Sequence, residues 1–228
     1  MTIEIKQRLL PDGCPNKPGK GMAPQWITIH NTDNESAGAT AEAHSRFILN
    51  GSGGSKKSWH YTVDDKEIFQ HLRDNEQGWH AGDGSGPGNA SSIGIEICMN
   101  AGLDEHAAWR NAAWLVAKLA KKYGLPLIKV VPHKHWTGKN CPSRILPHWS
   151  QFLSMVDREM INLDKPQPSP QPAKNDVIVI IDGKQINDGM LINGVTYVPV
   201  RAIAESFNAG VKWDQGQKTV TISKGETQ

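Results

Sequence analysis

The sequence predicts an α/β protein in which a mixed central sheet is flanked by helices and followed by a small β-rich (α+β) domain. Three observations predict it. Runs with strand character, Trp26–His30 and Ser92–Cys98 among them, alternate along the chain with segments of helical periodicity. Two of those segments, Asp104–Tyr123 and Trp149–Met160, repeat apolar residues at three- and four-residue spacing, the mark of a helix that buries one face. Then Asp164–Lys174 reads D-K-P-Q-P-S-P-Q-P-A-K, where alternating prolines remove backbone donors and favour an extended spacer. The expected organisation is a first domain over 1–163, a linker over 164–174 and a second domain over 175–228.

In chain order, Trp26-Ile27-Thr28-Ile29-His30 is a strand, and the turn-like Asn31-Thr32-Asp33 puts His30 at its carboxyl end. Ala39–Leu49 is expected to be helical, and the Gly/Ser-rich Asn50–Ser55 to be a loop. Ser58–Val63, the Asp64-Asp65 turn and Glu67–Leu72 read as a hairpin. Gly82–Ser91 is a polar, glycine-containing loop suited to the rim of a cleft. Alternation in Ser92–Cys98 sets Glu96 on the opposite face from Ile95 and Ile97. Asp104 can cap the next helix and Gly124 can stop it. A short apolar run, Ile128–Val131, leads to His133, and Cys141 lies in a Gly-containing loop ahead of Pro142.

Beyond the spacer, Val177–Ile181 and Gln185-Ile186 flank Asp182-Gly183, while Met190–Ile192 and Thr196–Val198 flank Asn193-Gly194. Both dipeptides are hairpin signals. Pro199 in a helix first turn opens Val200–Phe207, and Val211–Trp213 and Lys218–Ile222 complete a small β-rich fold.

His30, His133 and Cys141 together offer two imidazoles and a thiolate, the donors zinc takes at roughly 2.0–2.3 Å. Three protein ligands leave a fourth tetrahedral position open, the arrangement of a hydrolytic site. Neighbouring strands would bring all three to one sheet edge. The expected cofactor is Zn2+, and the tail, without histidine or cysteine, takes no part in holding it.

Five segments occur in order: I-T-I-H-N-T (27–32), S-W-H-Y-T-V-D-D (58–65), W-H-A-G (79–82), S-I-G-I-E-I-C (92–98) and H-K-H-W-T-G-K-N-C-P (133–142). Together they resemble the type 2 family of zinc-dependent N-acetylmuramoyl-L-alanine amidases, which includes phage endolysins, bacterial autolysins and peptidoglycan-recognition proteins. The resemblance implies a metal held by His30, His133 and Cys141, with Glu96 and Lys139 assisting the chemistry. Such groups are what the reaction asks for: a carboxylate to take the proton of water, and a cation to neutralise an oxyanion. Some relatives use the tyrosine of the S-W-H-Y motif, so Tyr61 is a second candidate, ranked behind Glu96 as an oxyanion donor. Trp79 and His80 are expected in the substrate cleft. The implied partner is bacterial peptidoglycan, cut between the muramic acid lactyl group and L-alanine.

The tail segment V-T-Y-V-P-V-R-A-I-A-E-S-F-N-A-G-V-K-W-D resembles the copper amine oxidase N-terminal-like module. Met190 is its single soft donor, so no copper site is expected. Wall attachment is the expected role, with a passive spacer or an oligomerisation unit as alternatives.

Composition narrows the remaining classes. Lys+Arg 25 against Asp+Glu 23 gives a formal charge of +2, too small to argue for nucleic-acid binding. Three cysteines, Cys14, Cys98 and Cys141, one of them assigned to zinc, do not make a disulfide framework. No apolar run has the length of a signal peptide core or a membrane span. The expectation is synthesis in the cytoplasm, action at the bacterial wall after passage through a membrane pore, and a phage or prophage origin. A bacterial autolysin, a non-catalytic peptidoglycan-binding module and a cysteine hydrolase using Cys141 are the competing readings. Oligomeric state is left open.

Overall fold

The computed structural model of the protein describes residues 3–164, 176–192 and 194–224. The proline spacer expected at 164–174 therefore lies, past Asp164, outside the described residues. Contacts divide the chain into two compact units, Met1–Lys165 and Pro166–Gln228.

In the first unit the elements run β1 (Ile5–Gln7), β2 (Trp26–Asn31), α1 (Ala41–Leu49), β3 (Tyr61–Val63), β4 (Ile68–Gln70), α2 (Pro87–Ala90), β5 (Ser92–Ile97), α3 (Glu105–Tyr123), β6 (Val130–Pro132), α4 (Lys134–Thr137) and α5 (Trp149–Asp164). Among the described residues six strands form one mixed sheet, in the order β1-β4-β3-β5-β2-β6. The strands β3, β5, β2 and β6 are mutually parallel, so their carboxyl ends share one edge. The hairpin expected over 58–72 forms as β3 and β4, antiparallel through Asp64, whose carboxylate accepts from the N–H groups of Lys66 and Glu67.

Period-two alternation separates the two faces of the sheet. Ile27, Ile29, Ile93, Ile95, Ile97, Val63 and Ile68 point into the core, each fully buried. Burial of one such side chain contributes roughly 1.5–3 kcal/mol. Against them lies α3, whose Ala108, Ala112, Leu115, Val116 and Leu119 form the buried stripe, backed by Phe152 and Val156 of α5. The ends of α3 fall where the sequence puts them: Asp104 accepts from the Ala107 N–H, and Gly124 closes the helix at φ 63°, a conformation that costs glycine least. The opposite face carries Thr28, His30, Thr62, Gly94 and Glu96 in register, with α1 beside it. That face is the polar one.

Ile128 departs from its expected strand: it sits in a 3-10 turn, Leu127–Lys129, and is 78% exposed, so β6 begins two residues later. The loop expected over 82–91 includes the short helix α2, started by Pro87 in its first turn. Among the described helices none is long and apolar enough to cross a membrane.

The second unit contains β7 (Asp176–Ile181), β8 (Lys184–Ile192), β9 (Val195–Tyr197), α6 (Val200–Ser206), β10 (Ala209–Asp214) and β11 (Thr219–Lys224). Asp182 and Gly183 both take positive φ, 49° and 75°, in the two-residue turn between β7 and β8. Where two separate strand pieces are expected, β8 runs unbroken. Its Gly189 passes so close to β7 that a Cβ would lie 2.6 Å from the Val177 carbonyl, beside an irregularity in the pairing. Pro199 caps α6 from outside its first turn.

Candidate metal centre and active site

The carboxyl edge of the parallel strands gathers the chemistry-bearing residues. His30 is the penultimate residue of β2, and its Cα pairs in register with that of Glu96 on β5. His133 follows β6 directly and donates its backbone N–H to Ile29, which ties it to the neighbouring strand. The chain then makes α4, turns at Gly138 with φ 76°, and returns so that the Cys141 carbonyl accepts from the Lys134 N–H. This loop carries the cysteine back beside the histidines.

His30 Nδ1 lies 3.1 Å from His133 Nδ1 and 3.9 Å from Cys141 Sγ, and the three ligand atoms fall within 4.8 Å of one another. All three residues are buried. Tetrahedral zinc with ordinary bond lengths would separate such atoms by about 3.3–3.6 Å. The donor chemistry fits as well. His133 Nε2 sits 2.8 Å from the Ala81 carbonyl, which can only accept, so the proton is on Nε2 and the Nδ1 lone pair faces another ring nitrogen. Two lone-pair donors and a thiol converging on one point suit a cation between them.

Glu96 Oε1 is 3.9 Å from His30 Nδ1, and its Oε2 is buried with no hydrogen-bond partner among the described residues. Burial pushes the carboxyl up to about 8, against the pull of Lys139 and with the push of Asp33. Burial likewise raises the Cys141 thiol to about 12 and holds His30 well below the usual imidazole range, with His80 and His133 adding to the latter. Lys139 reaches the site from the rim, half exposed, with Nζ 3.3 Å from Asp33 Oδ2. Burial works against its charge, but the bond to Asp33 and the proximity of Cys141 and Glu96 raise its pKa.

A cleft of about 1030 Å³ opens above these groups, lined also by Phe47, Lys56, Lys57, Trp59, Trp79 and Ser85. Trp79 is half-buried on its wall, with Lys56 Nζ 5.6 Å from the ring centroid. His80 is 9% exposed and stands behind His30, its Nδ1 3.1 Å from His30 Nε2.

Tyr61 does not join this group, which corrects its placement as a substrate-contacting oxyanion donor. Its Cα pairs with Ile95, not Glu96, so the pleat turns it to the core face under α3. There its hydroxyl donates to Asp74 Oδ1 at 2.5 Å, and burial raises its pKa, with Asp74 adding to the effect. The sequence reading missed Asp33 and Asn89. Asp33 is drawn out of the turn by its positive φ of 49° and meets Lys139, and a non-glycine in that region is a local sign worth reading. Asn89, on the short helix α2, accepts from the N–H groups of both His80 and Ala81. Nothing in its neighbours signalled that.

Comparison with known proteins identifies a family for the chain. A family model described as N-acetylmuramoyl-L-alanine amidase matches residues 20–144, and one described as copper amine oxidase N-terminal domain matches 180–228. The chain is 50% identical over 155 residues to the N-acetylmuramoyl-L-alanine amidase CwlH of Bacillus subtilis, covering 68% of this chain and 61% of that protein. It is 51% identical over 154 residues to XlyA of the same organism, an N-acetylmuramoyl-L-alanine amidase of which it covers 51%. The chain thus spans only about half to three-fifths of the length of these relatives. The solved catalytic domain of XlyA superposes with a TM-score of 0.65 at 49% identity, over 68% of this chain and 99% of that domain. With matched residues extending from before β2 to beyond Cys141, the chain belongs to the N-acetylmuramoyl-L-alanine amidase family.

Proposed function

We propose that the chain is a zinc-dependent amidase that hydrolyses the bond between the lactyl group of muramic acid and L-alanine in bacterial peptidoglycan. The observation that carries the reading is the convergence of His30 Nδ1, His133 Nδ1 and Cys141 Sγ beside Glu96 at the floor of the cleft.

His30, His133 and Cys141 would hold zinc, which supplies Lewis acidity to polarise the scissile carbonyl and acidify water. Glu96 takes the proton of the attacking water at its unpartnered Oε2 and returns it to the leaving amine nitrogen. Burial raises the Glu96 carboxyl in the metal-free protein and so favours holding the proton between the two halves of the transfer, while a cation at the ligand set would pull it back towards the ionised form that takes the proton. Lys139, kept charged beside Asp33, neutralises the negative charge that develops on the carbonyl oxygen. Trp79 and Lys56 offer the polymer an aromatic face and a cation on the cleft wall. Cys141 suits the role of ligand better than that of nucleophile, since burial keeps its thiol protonated in the absence of a cation.

We infer a phage or prophage endolysin, on the likeness to a Bacillus subtilis endolysin structure at 50% identity and TM-score 0.66. An endolysin made in the cytoplasm meets its wall substrate through a pore in the membrane. Residues 1–163 would be the catalytic domain, and the second unit a wall-attachment module joined by the proline spacer.

The test is release of new L-alanine amino termini from purified walls. A chelator should abolish it and zinc restore it. Glu96→Gln should lower turnover roughly 10²-fold or more while zinc stays bound. Full lytic activity in demonstrably metal-free protein would sink the mechanism.

A further inference from the structure

We propose that the Trp79–Gly82 segment, clamped by Asn89, is the positioning device of the metal centre: the His80 ring sets the tautomer of His30, and the Ala81 carbonyl sets that of His133. The proposal rests on the reading of His30, His133 and Cys141 as metal ligands.

A neutral imidazole carries one N–H and one lone pair, so fixing one nitrogen fixes the other. His80 Nε2 lies 3.1 Å from the Ser92 carbonyl oxygen, which can only accept. The proton of His80 is therefore on Nε2, and the lone pair of its Nδ1 points at His30 Nε2, 3.1 Å away. His30 must carry its own proton there. Its Nδ1 is left bare, and that is the atom facing His133 Nδ1 and Cys141 Sγ. On the other side, the Ala81 carbonyl takes the Nε2 proton of His133 at 2.8 Å and leaves that Nδ1 bare as well. Two adjacent residues thus aim both imidazoles at one point.

The segment is held for the purpose. Asn89 Oδ1 accepts from the backbone N–H groups of His80 and Ala81, each at 2.8 Å, and Asn89 is itself tied to Asp83 Oδ1 and the Gly84 carbonyl. Ser58 Oγ accepts from the Trp79 N–H. Small residues make room: a Cβ at Gly94 would lie 2.6 Å from His80 Cγ, and one at Gly88 would lie 2.5 Å from Ala81 Cβ. The glycine of the S-I-G-I-E motif is thereby explained, because the His80 ring packs on the strand where any side chain would stand.

The first measurement needs no substitution. Long-range 1H–15N correlation spectra of the metal-free full chain should show His30, His80 and His133 as Nε2–H tautomers; a His30 Nδ1–H tautomer would overturn the relay. The second measures zinc affinity by competition with a chromophoric chelator, and the cobalt absorption spectrum as a report on ligand geometry. His80→Leu and Asn89→Ala should each weaken zinc binding roughly 10- to 100-fold and shift the cobalt bands. His80→Gln, which keeps an acceptor for His30 and a donor for Ser92, should recover most of the loss. Folded His80→Leu protein with parental zinc affinity and an unchanged cobalt spectrum overturns the proposal. Absence of zinc binding by the parent chain overturns the metal reading, and the proposal falls with it.

Discussion

Burial of neutral histidine is the recurring choice at single positions. His60 accepts from the Gly94 N–H at Nδ1 and gives its Nε2 proton to the Glu76 carbonyl, and burial holds its pKa at about 4. His71, beside Thr62, is held at about 3, again by burial. The unfolded chain takes up these protons near 6.5, so the stability they confer is complete above that pH and is lost as pH falls towards 4 and 3. Each should contribute a loss of about 2 kcal/mol between pH 6.5 and 5. Glu96 works in the opposite sense, since its raised pKa makes folding less favourable as pH rises from the usual carboxylate range through about 8. Urea unfolding of chelated Glu96→Gln protein should therefore show stability falling steadily below pH 6.5, and a flat profile would mean these rings are not held neutral. Of the candidate site, His30, His133, Cys141, Glu96 and Lys139 could be named from residue type and motif context, and the structure brings these five to one cleft. Tyr61 was misread because a motif letter does not reveal which face of the pleat it occupies, and that was decided by its register with Ile95.

At the level of elements, legibility followed the strength of local rules. The helix α3 was readable to the residue, since Asp104 and Gly124 satisfy the orphan backbone groups at its two ends. Asp104→Ala should lower stability by about 1 kcal/mol without touching zinc affinity, seen as a drop in Tm. Where no such signal exists, the reading drifted: Ile128 is apolar but lies in an exposed turn, and β8 looks interrupted by Asn187-Asp188-Gly189 yet continues. In both places backbone geometry, and not hydrophobicity, set the boundary.

For the molecule as a whole, the proposed ligands, the proposed base and the sheet core all lie in the first unit, Met1–Lys165. A chain ending near Leu163 should fold, bind one zinc and cleave soluble muropeptides within about twofold of the intact rate. On intact walls it should be slower by roughly tenfold or more, because tethering raises local concentration only at an insoluble polymer. Loss of activity on soluble fragments as well would reassign the second unit to a structural role. Sedimentation of an isolated piece from about Asn175 with purified walls is the complementary measurement. The run of prolines predicts a boundary over 164–174, whereas what the second unit does is not legible in the sequence, since its turns and strands specify a fold without specifying a ligand.

The pairing of His30 with Glu96 across β2 and β5 fixes what position 96 can do. Because the two Cα atoms are locked side by side by sheet register, whatever side chain occupies position 96 is delivered to the same spot, 3.9 Å from the His30 nitrogen in the present case. A histidine there would reach the cation as a fourth ligand. Glu96→His should accordingly hold zinc more tightly than the parent in chelator competition while releasing no L-alanine termini, turning an open reactive centre into a closed structural one. Under the proposed function, one substitution at position 96 would thus separate holding the metal from hydrolysis, with every loop around the cleft unchanged.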